Sequence, residues 1–140
     1  MRKLPLLTLL ISSSVSLSAQ TSKSIGQPLE KTAVALVQQQ LDAYNARNID
    51  AFMVPFSDSL ECYTFPNEPR GKGKESLRKG MSDFLSKVPD LHCEITGRIV
   101  KGNMVVDKEH ITGMNGNMVM EAIVIYEIEG EKIKKVYLIQ

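Results

Sequence analysis

Cysteine, histidine, net charge and long apolar runs are all scarce in this chain of 140 residues. Cys62, Cys93, His92 and His110 are the only cysteines and histidines, and their spacing carries no metal-ligand signature. A formal net charge of +1 supplies no field of one sign for nucleic acid or an anionic membrane, so neither is expected as a partner. The one basic cluster, Arg70-Gly71-Lys72-Gly73-Lys74, is flanked by Glu68 and Glu75 and reads as a solvated loop entering a helix. Near the N-terminus the apolar core at residues 4–11 is far shorter than the ~20 residues a membrane-spanning helix needs. Internal repeats are absent.

What that N-terminus does contain is the pattern of an export signal: Arg2 and Lys3, an apolar stretch diluted with serine, then Ser18-Ala19. Cleavage after Ala19 is expected, placing the protein in a secreted or periplasmic compartment. No cysteine stands at the boundary to carry a lipid anchor. A polar leader at 20–27 precedes a single domain at 28–140, large enough to bury roughly two-thirds of its unfolded surface. Losing Arg2 and Lys3 while keeping all 16 acids takes the formal charge to −1. The two cysteines of an exported chain are able to pair in principle. Both fall in strand patterns on strands not expected to be neighbours, which favours two small buried hydrophobes.

Pro28-Leu29-Glu30 opens a helix running to about Arg47, with Ala33, Leu36, Val37, Gln40, Leu41 and Tyr44 on one face. Gln40 is a polar residue inside that apolar stripe. A short helix starts at Asp50, and residues 60–65 alternate as a strand stopped by Pro66. A third helix follows the glycines, with Leu77, Met81, Phe84, Leu85 and Val88 on its buried side. Residues 91–140 then read as four strands, with turn signals at Gly102-Asn103, Asn115-Gly116 and Gly130.

The order helix, short helix, strand, helix, four-strand meander resembles the nuclear transport factor 2-like cone, in its SnoaL-like and steroid isomerase-like branch. The resemblance is carried by Leu41-Asp42-Ala43-Tyr44-Asn45-Ala46-Arg47-Asn48, Tyr63-Thr64-Phe65-Pro66, Gly71-Lys72-Gly73-Lys74-Glu75 and Glu121-Ala122-Ile123-Val124-Ile125-Tyr126. It implies an α+β fold whose N-terminal helices pack in a strongly curved, mostly antiparallel sheet. That fold hosts isomerases, dehydratases, cyclases, epoxide hydrolases and binding proteins, so it does not name a reaction. The catalytic positions of the steroid isomerases fall here on Gln40, on Tyr63 or its near neighbours, and on Val124. None keeps the acid or phenol of that family, so authentic steroid isomerisation is not expected.

A two-residue turn at Asn115-Gly116 would pair Asp107 with Val124, Glu109 with Ala122, Ile111 with Met120 and Thr112 with Val119. Met118, Met120, Ala122, Val124 and Tyr126 then share the pocket face, and Asp107 and Glu109 look into the pocket. A two-residue turn at Gly102 would add His92, Glu94, Thr96 and Arg98 to that face. An Arg98 guanidinium opposite Asp107 would hold that acid ionised and leave Glu109 as the better candidate base; a purely structural ion-pair cluster is the alternative. On the other face His110 would meet Glu121.

The candidate catalytic residues are accordingly Glu109 and Asp107, and the candidate ligand contacts are Gln40, Tyr44, Tyr63, Phe65, His92, Arg98, Met120 and Val124. No metal and no cofactor is expected. Ile95, Ile99, Val106, Val119, Ile123 and Ile125 make the outer sheet face apolar as well, which points to a homodimer. The expected function is a small apolar-molecule pocket with proton-transfer chemistry, isomerase- or dehydratase-like. The alternative is a ligand-binding or accessory homodimer without catalysis.

Overall fold

A computed structural model describes residues 26–140, so the expected export signal and most of the expected polar leader lie outside the described residues. The elements are α1 (Gln27–Asn45), α2 (Ile49–Met53), β1 (Phe56–Thr64), β2 (Glu68–Lys72), α3 (Lys74–Lys87), β3 (His92–Lys101), β4 (Met104–Met114), β5 (Met118–Glu129) and β6 (Lys132–Ile139). Pro28 sits in the first turn of α1, where its missing N–H would have had no intrahelical partner. Asn48 caps α2 by accepting the Ala51 N–H at 3.0 Å. No described helix is long and apolar enough to cross a membrane.

The six strands form one sheet in the order β2-β1-β6-β5-β4-β3, antiparallel except for the β1–β6 pair. The fold is α+β, with α1 lying against β3, β4 and β6 and α3 against β1 and β2. Two features depart from the sequence reading. The first strand begins at Phe56 rather than Leu60, and the stretch read as a solvated loop forms edge strand β2 on it. The open edge of β1 recruits this segment, and Pro69 is tolerated because nothing pairs on its far side.

Two apolar clusters form the interior. One gathers Val37, Phe52, Phe56, Leu60, Val105, Ile128 and Ile133, and the other Leu41, Leu85, Val88, Leu91, Cys93, Ile111 and Ala122. Hydrogen bonds from the end of α1 tie it to the second cluster. The Asn45 amide donates to the Cys93 carbonyl and accepts the Cys93 N–H, both at 2.8 Å, while the Arg47 guanidinium donates to the carbonyls of Leu85 and Val88.

Bulges decide which residues face this interior. The β4–β5 turn has three residues, Asn115–Asn117, with Met114 opposite Met118, one more than the two-residue bend expected from Asn-Gly. A bulge between Ile111 and Met114 absorbs the extra residue, so Ile111 meets Met120, Glu109 meets Ala122 and Asp107 meets Val124 after all. The expected Thr112–Val119 pair is lost, and Met118 is exposed rather than pocket-facing. Gly113 makes that bulge possible: its φ is +74°, and a Cβ there would stand 1.8 Å from the Asp90 carbonyl oxygen. On the other side of β4, Gly102-Asn103 is the two-residue turn expected. A bulge at Thr96 then shifts the register, so Ile95 meets Glu109 and Cys93 meets Ile111.

Candidate functional site

An internal cavity of about 520 Å³ opens where the two clusters meet. Its wall is mostly apolar, with Phe52, Phe56, Met81, Ile111, Val124 and Leu138 from helices and strands alike. β4 turns Glu109 into it, and β5 turns Tyr126 beside it by the same alternation. Both side chains are buried. The Tyr126 hydroxyl donates to Glu109 Oε1 at 3.3 Å and accepts from Gln40 Nε2 at 3.1 Å, so a chain of polar groups runs from α1 across β5 to β4.

Burial is the largest influence on the Glu109 carboxyl, and the Asp107 charge adds to it, pushing the pKa up to about 7. Hydrogen bonds from Tyr126 and Cys93, and the more distant Arg98, pull it partly back. Near neutral pH the group therefore exists in both protonation states, as a general acid or base requires. Burial, together with the Glu109 charge, pushes the Cys93 thiol up to about 12, which leaves it a neutral packing group. Tyr44 also lines the cavity, and burial followed by the charges of Cys93 and Glu109 raises its phenol well above the ordinary value.

Two residues away on the same strand, Asp107 is fully buried and belongs to a different environment. Arg98 Nε and Nη2 donate to its two oxygens at 2.6 and 2.7 Å. Arg98 Nη1 donates to Gln38 Oε1 at 2.9 Å, and Gln38 Nε2 donates to Asp42 Oδ1 at 2.8 Å. This bidentate, extended network is structural, and neither Asp107 nor Arg98 lines the cavity.

Of the residues expected in the pocket from sequence, Gln40, Tyr44, Glu109, Met120 and Val124 come together around the cavity. The others are corrected. His92 and Glu94 lie on the opposite face, exposed, because the Thr96 bulge reverses the alternation of β3 and turns Cys93 inward in their place. The same bulge moves Ile95 from the outer face to partial burial against the second cluster. Phe65 is 53% exposed beyond the end of β1. Tyr63 touches the cavity rim, but its ring stacks on Tyr137 at 5.2 Å and its hydroxyl donates to Glu61, so Cys62 rather than Tyr63 turns inward at this end of β1.

Cys62 and Cys93 are free, on β1 and β3 at separate places in the sheet. His110 Nδ1 and Glu121 Oε1 form the expected cross-strand pair at 2.5 Å on the outer face. The sequence reading missed Tyr126 as the partner of both Gln40 and Glu109. Its place two residues after Val124 on an inward-alternating strand was the available signal. Among the described residues no three His, Cys, Asp or Glu side chains converge to hold a metal ion.

A family model described as a SnoaL-like domain matches residues 37–136, a span that runs from within α1 into β6 and holds Gln40, Tyr44, Glu109 and Tyr126. The chain belongs to the SnoaL-like family. Solved structures agree with the nuclear transport factor 2-like fold expected from sequence. An uncharacterized cystatin-fold protein from Novosphingobium aromaticivorans is 24% identical at a TM-score of 0.71, over 77% of this chain and 97% of its own. A candidate polyketide cyclase from Bacillus cereus is 23% identical at 0.70, over 83% and 78%. An epoxide hydrolase of M. tuberculosis resembling LEH is 14% identical at 0.66, over 78% and 82%. At these identities the likeness establishes the fold of this SnoaL-like protein and nothing about its reaction. No curated protein matches the sequence.

Proposed function

We propose that this SnoaL-like protein binds a small, largely apolar molecule and transfers a proton within it, with Glu109 as the acid–base group. The observation that carries the reading is a buried carboxyl facing an apolar cavity and partnered by a phenol rather than by a cation. As carboxylate, Glu109 takes a proton from a carbon next to a ligand carbonyl, and the electron pair of that C–H bond moves onto the carbonyl oxygen. Tyr44 is the phenol placed to donate to that oxygen, since Tyr126 is occupied by Gln40 and Glu109. Returning the proton to another carbon gives isomerisation. Losing a neighbouring hydroxyl as water gives dehydration. Val124 and Gln40 at the two oxyanion positions of the steroid isomerases argue against authentic steroid chemistry.

Mass spectrometry of the protein purified from its own source identifies the retained molecule, and incubation of that molecule in D₂O reads the chemistry. Deuterium incorporation by wild type and its loss in Glu109→Gln, with the molecule still bound, is the expected result. Exchange no faster with wild type than without protein makes this a binding protein without catalysis, and equal incorporation above that background by the two proteins removes Glu109 as the acid–base group.

The reading extends to location and assembly. Removal of residues 1–19 on export yields a chain starting at Gln20, which N-terminal sequencing of the exported protein checks. Ile99 is 70% exposed and Val119 54%, and with Ile123 they leave the outer sheet face apolar; a second copy packed on this face makes a homodimer. Ile99→Glu should convert the dimer to monomer in sedimentation and remove the dependence of the melting temperature on protein concentration.

A further inference from the structure

Two charged side chains line the cavity, Glu109 and Arg70, and they occupy opposite situations. Glu109 is buried with Gln40, Val124 and Tyr126, whereas Arg70 and its lining neighbours Ser76 and Gly80 are exposed and so mark the mouth. Arg70 belongs to the basic run that sequence patterning assigns to solvent. Its basic neighbours on α3 are engaged elsewhere, Lys74 with Asp58 at 3.8 Å and Arg78 with Asp50 at 2.7 Å, while Arg70 enters no ion pair among the described residues. It is also the extra residue of a ladder irregularity: Cys62 pairs with Gly71 and Tyr63 with Pro69, leaving Arg70 unpaired between them. The guanidinium is close enough to Cys62 on the cavity wall for its charge to act on that thiol. Beside it, a Cβ on Gly71 would stand 3.0 Å from Ser76 Oγ, so the rim is narrow and the serine hydroxyl lies against it.

From this placement we infer that the cavity takes an amphipathic acid, its carboxylate held at the mouth by Arg70 and Ser76 and its apolar body directed inward to Val124 and Leu138. The inference rests on the cavity reading given above and adds the chemistry of the ligand's outer end. A guanidinium offers two parallel N–H donors to a carboxylate. The reverse orientation would set the ligand's carboxylate against Glu109 in a buried site, where like charges repel. The inner end is left for an apolar chain or a neutral carbonyl or hydroxyl, which Glu109 and Tyr44 can meet.

Decanoate and 1-decanol, compared by calorimetry at pH 8 and low salt, separate the two ends of the ligand. Wild type should bind decanoate about tenfold more tightly than 1-decanol, with the difference shrinking as salt is raised. Arg70→Ala should lose the preference while keeping its affinity for 1-decanol, and Arg70→Glu should favour decylamine instead. Arg70 is exposed on an edge strand, so both variants are expected to retain the wild-type unfolding transition. Equal affinity of wild type for decanoate and 1-decanol, or a preference that survives Arg70→Ala, overturns the inference and leaves the cavity reading standing. Failure of both probes to bind overturns the two together.

Discussion

Asp107 and Glu109 stand two residues apart on one strand and face, yet they behave as different groups. At the Asp107 end, β3 supplies Arg98 and α1 supplies Gln38, and every polar atom finds a fixed partner. At the Glu109 end, the Thr96 bulge puts Ile95 opposite in place of a polar side chain, and α1 contributes only the neutral Gln40 through Tyr126. One acid is consumed by the architecture and the other is left titratable at the cavity wall. Chemistry at such a sheet is decided by which cross-strand neighbour each carboxylate receives, more than by the carboxylates themselves.

The comparison breaks most visibly at Arg98. Arg98→Met leaves Asp107 buried without its cation and should lower the unfolding free energy by about 3 to 5 kcal/mol in urea denaturation, whereas Arg98→Met with Asp107→Leu should recover most of it. Recovery by the double variant marks the pair as structural; a cavity role would leave ligand binding impaired in the rescued protein.

Glu109 sharpens the contrast through pH. Its folded pKa, about 7, lies above the ordinary 4.5, so between these values the unfolded chain loses its proton first and stability falls as pH rises. The full contribution is present below pH 4.5 and is gone above about 7, a change on the order of 3 kcal/mol. Urea unfolding of wild type and Glu109→Gln across that window should show the slope in wild type and its absence in the variant.

Tyr126→Phe is the mildest test. It removes a donor that lowers the Glu109 pKa, so a carboxyl NMR titration should move further upward, with a stability loss of about 1 kcal/mol.

Much of the fold is legible in the chain. The meander follows from Gly and Asn at its joints and from period-two alternation, and α1 follows from its apolar stripe with Gln40 inside it. The inward placement of Asp107 and Glu109 is also predicted, although for an incomplete reason: the Asn-Gly turn is one residue longer than its chemistry suggests, and the bulge at Gly113 restores the register. No matching correction exists at β3, where the Thr96 bulge sends His92 outward and Cys93 inward. β2 escapes sequence reading because it is short, contains Pro69 and Gly71, and has no alternation of its own.

The sequence by itself determined the three helices, the four-strand meander, where its turns bend and which strand carries the two acids, because these depend on local backbone preference and side-chain alternation. Only the tertiary structure decided that Tyr126 takes Glu109, that Cys93 replaces His92 at the wall, and that Arg70 stands exposed at the mouth. Each of those outcomes turns on a bulge or an edge pairing, and these are set by contacts between segments distant in the chain, such as Gly113 against Asp90.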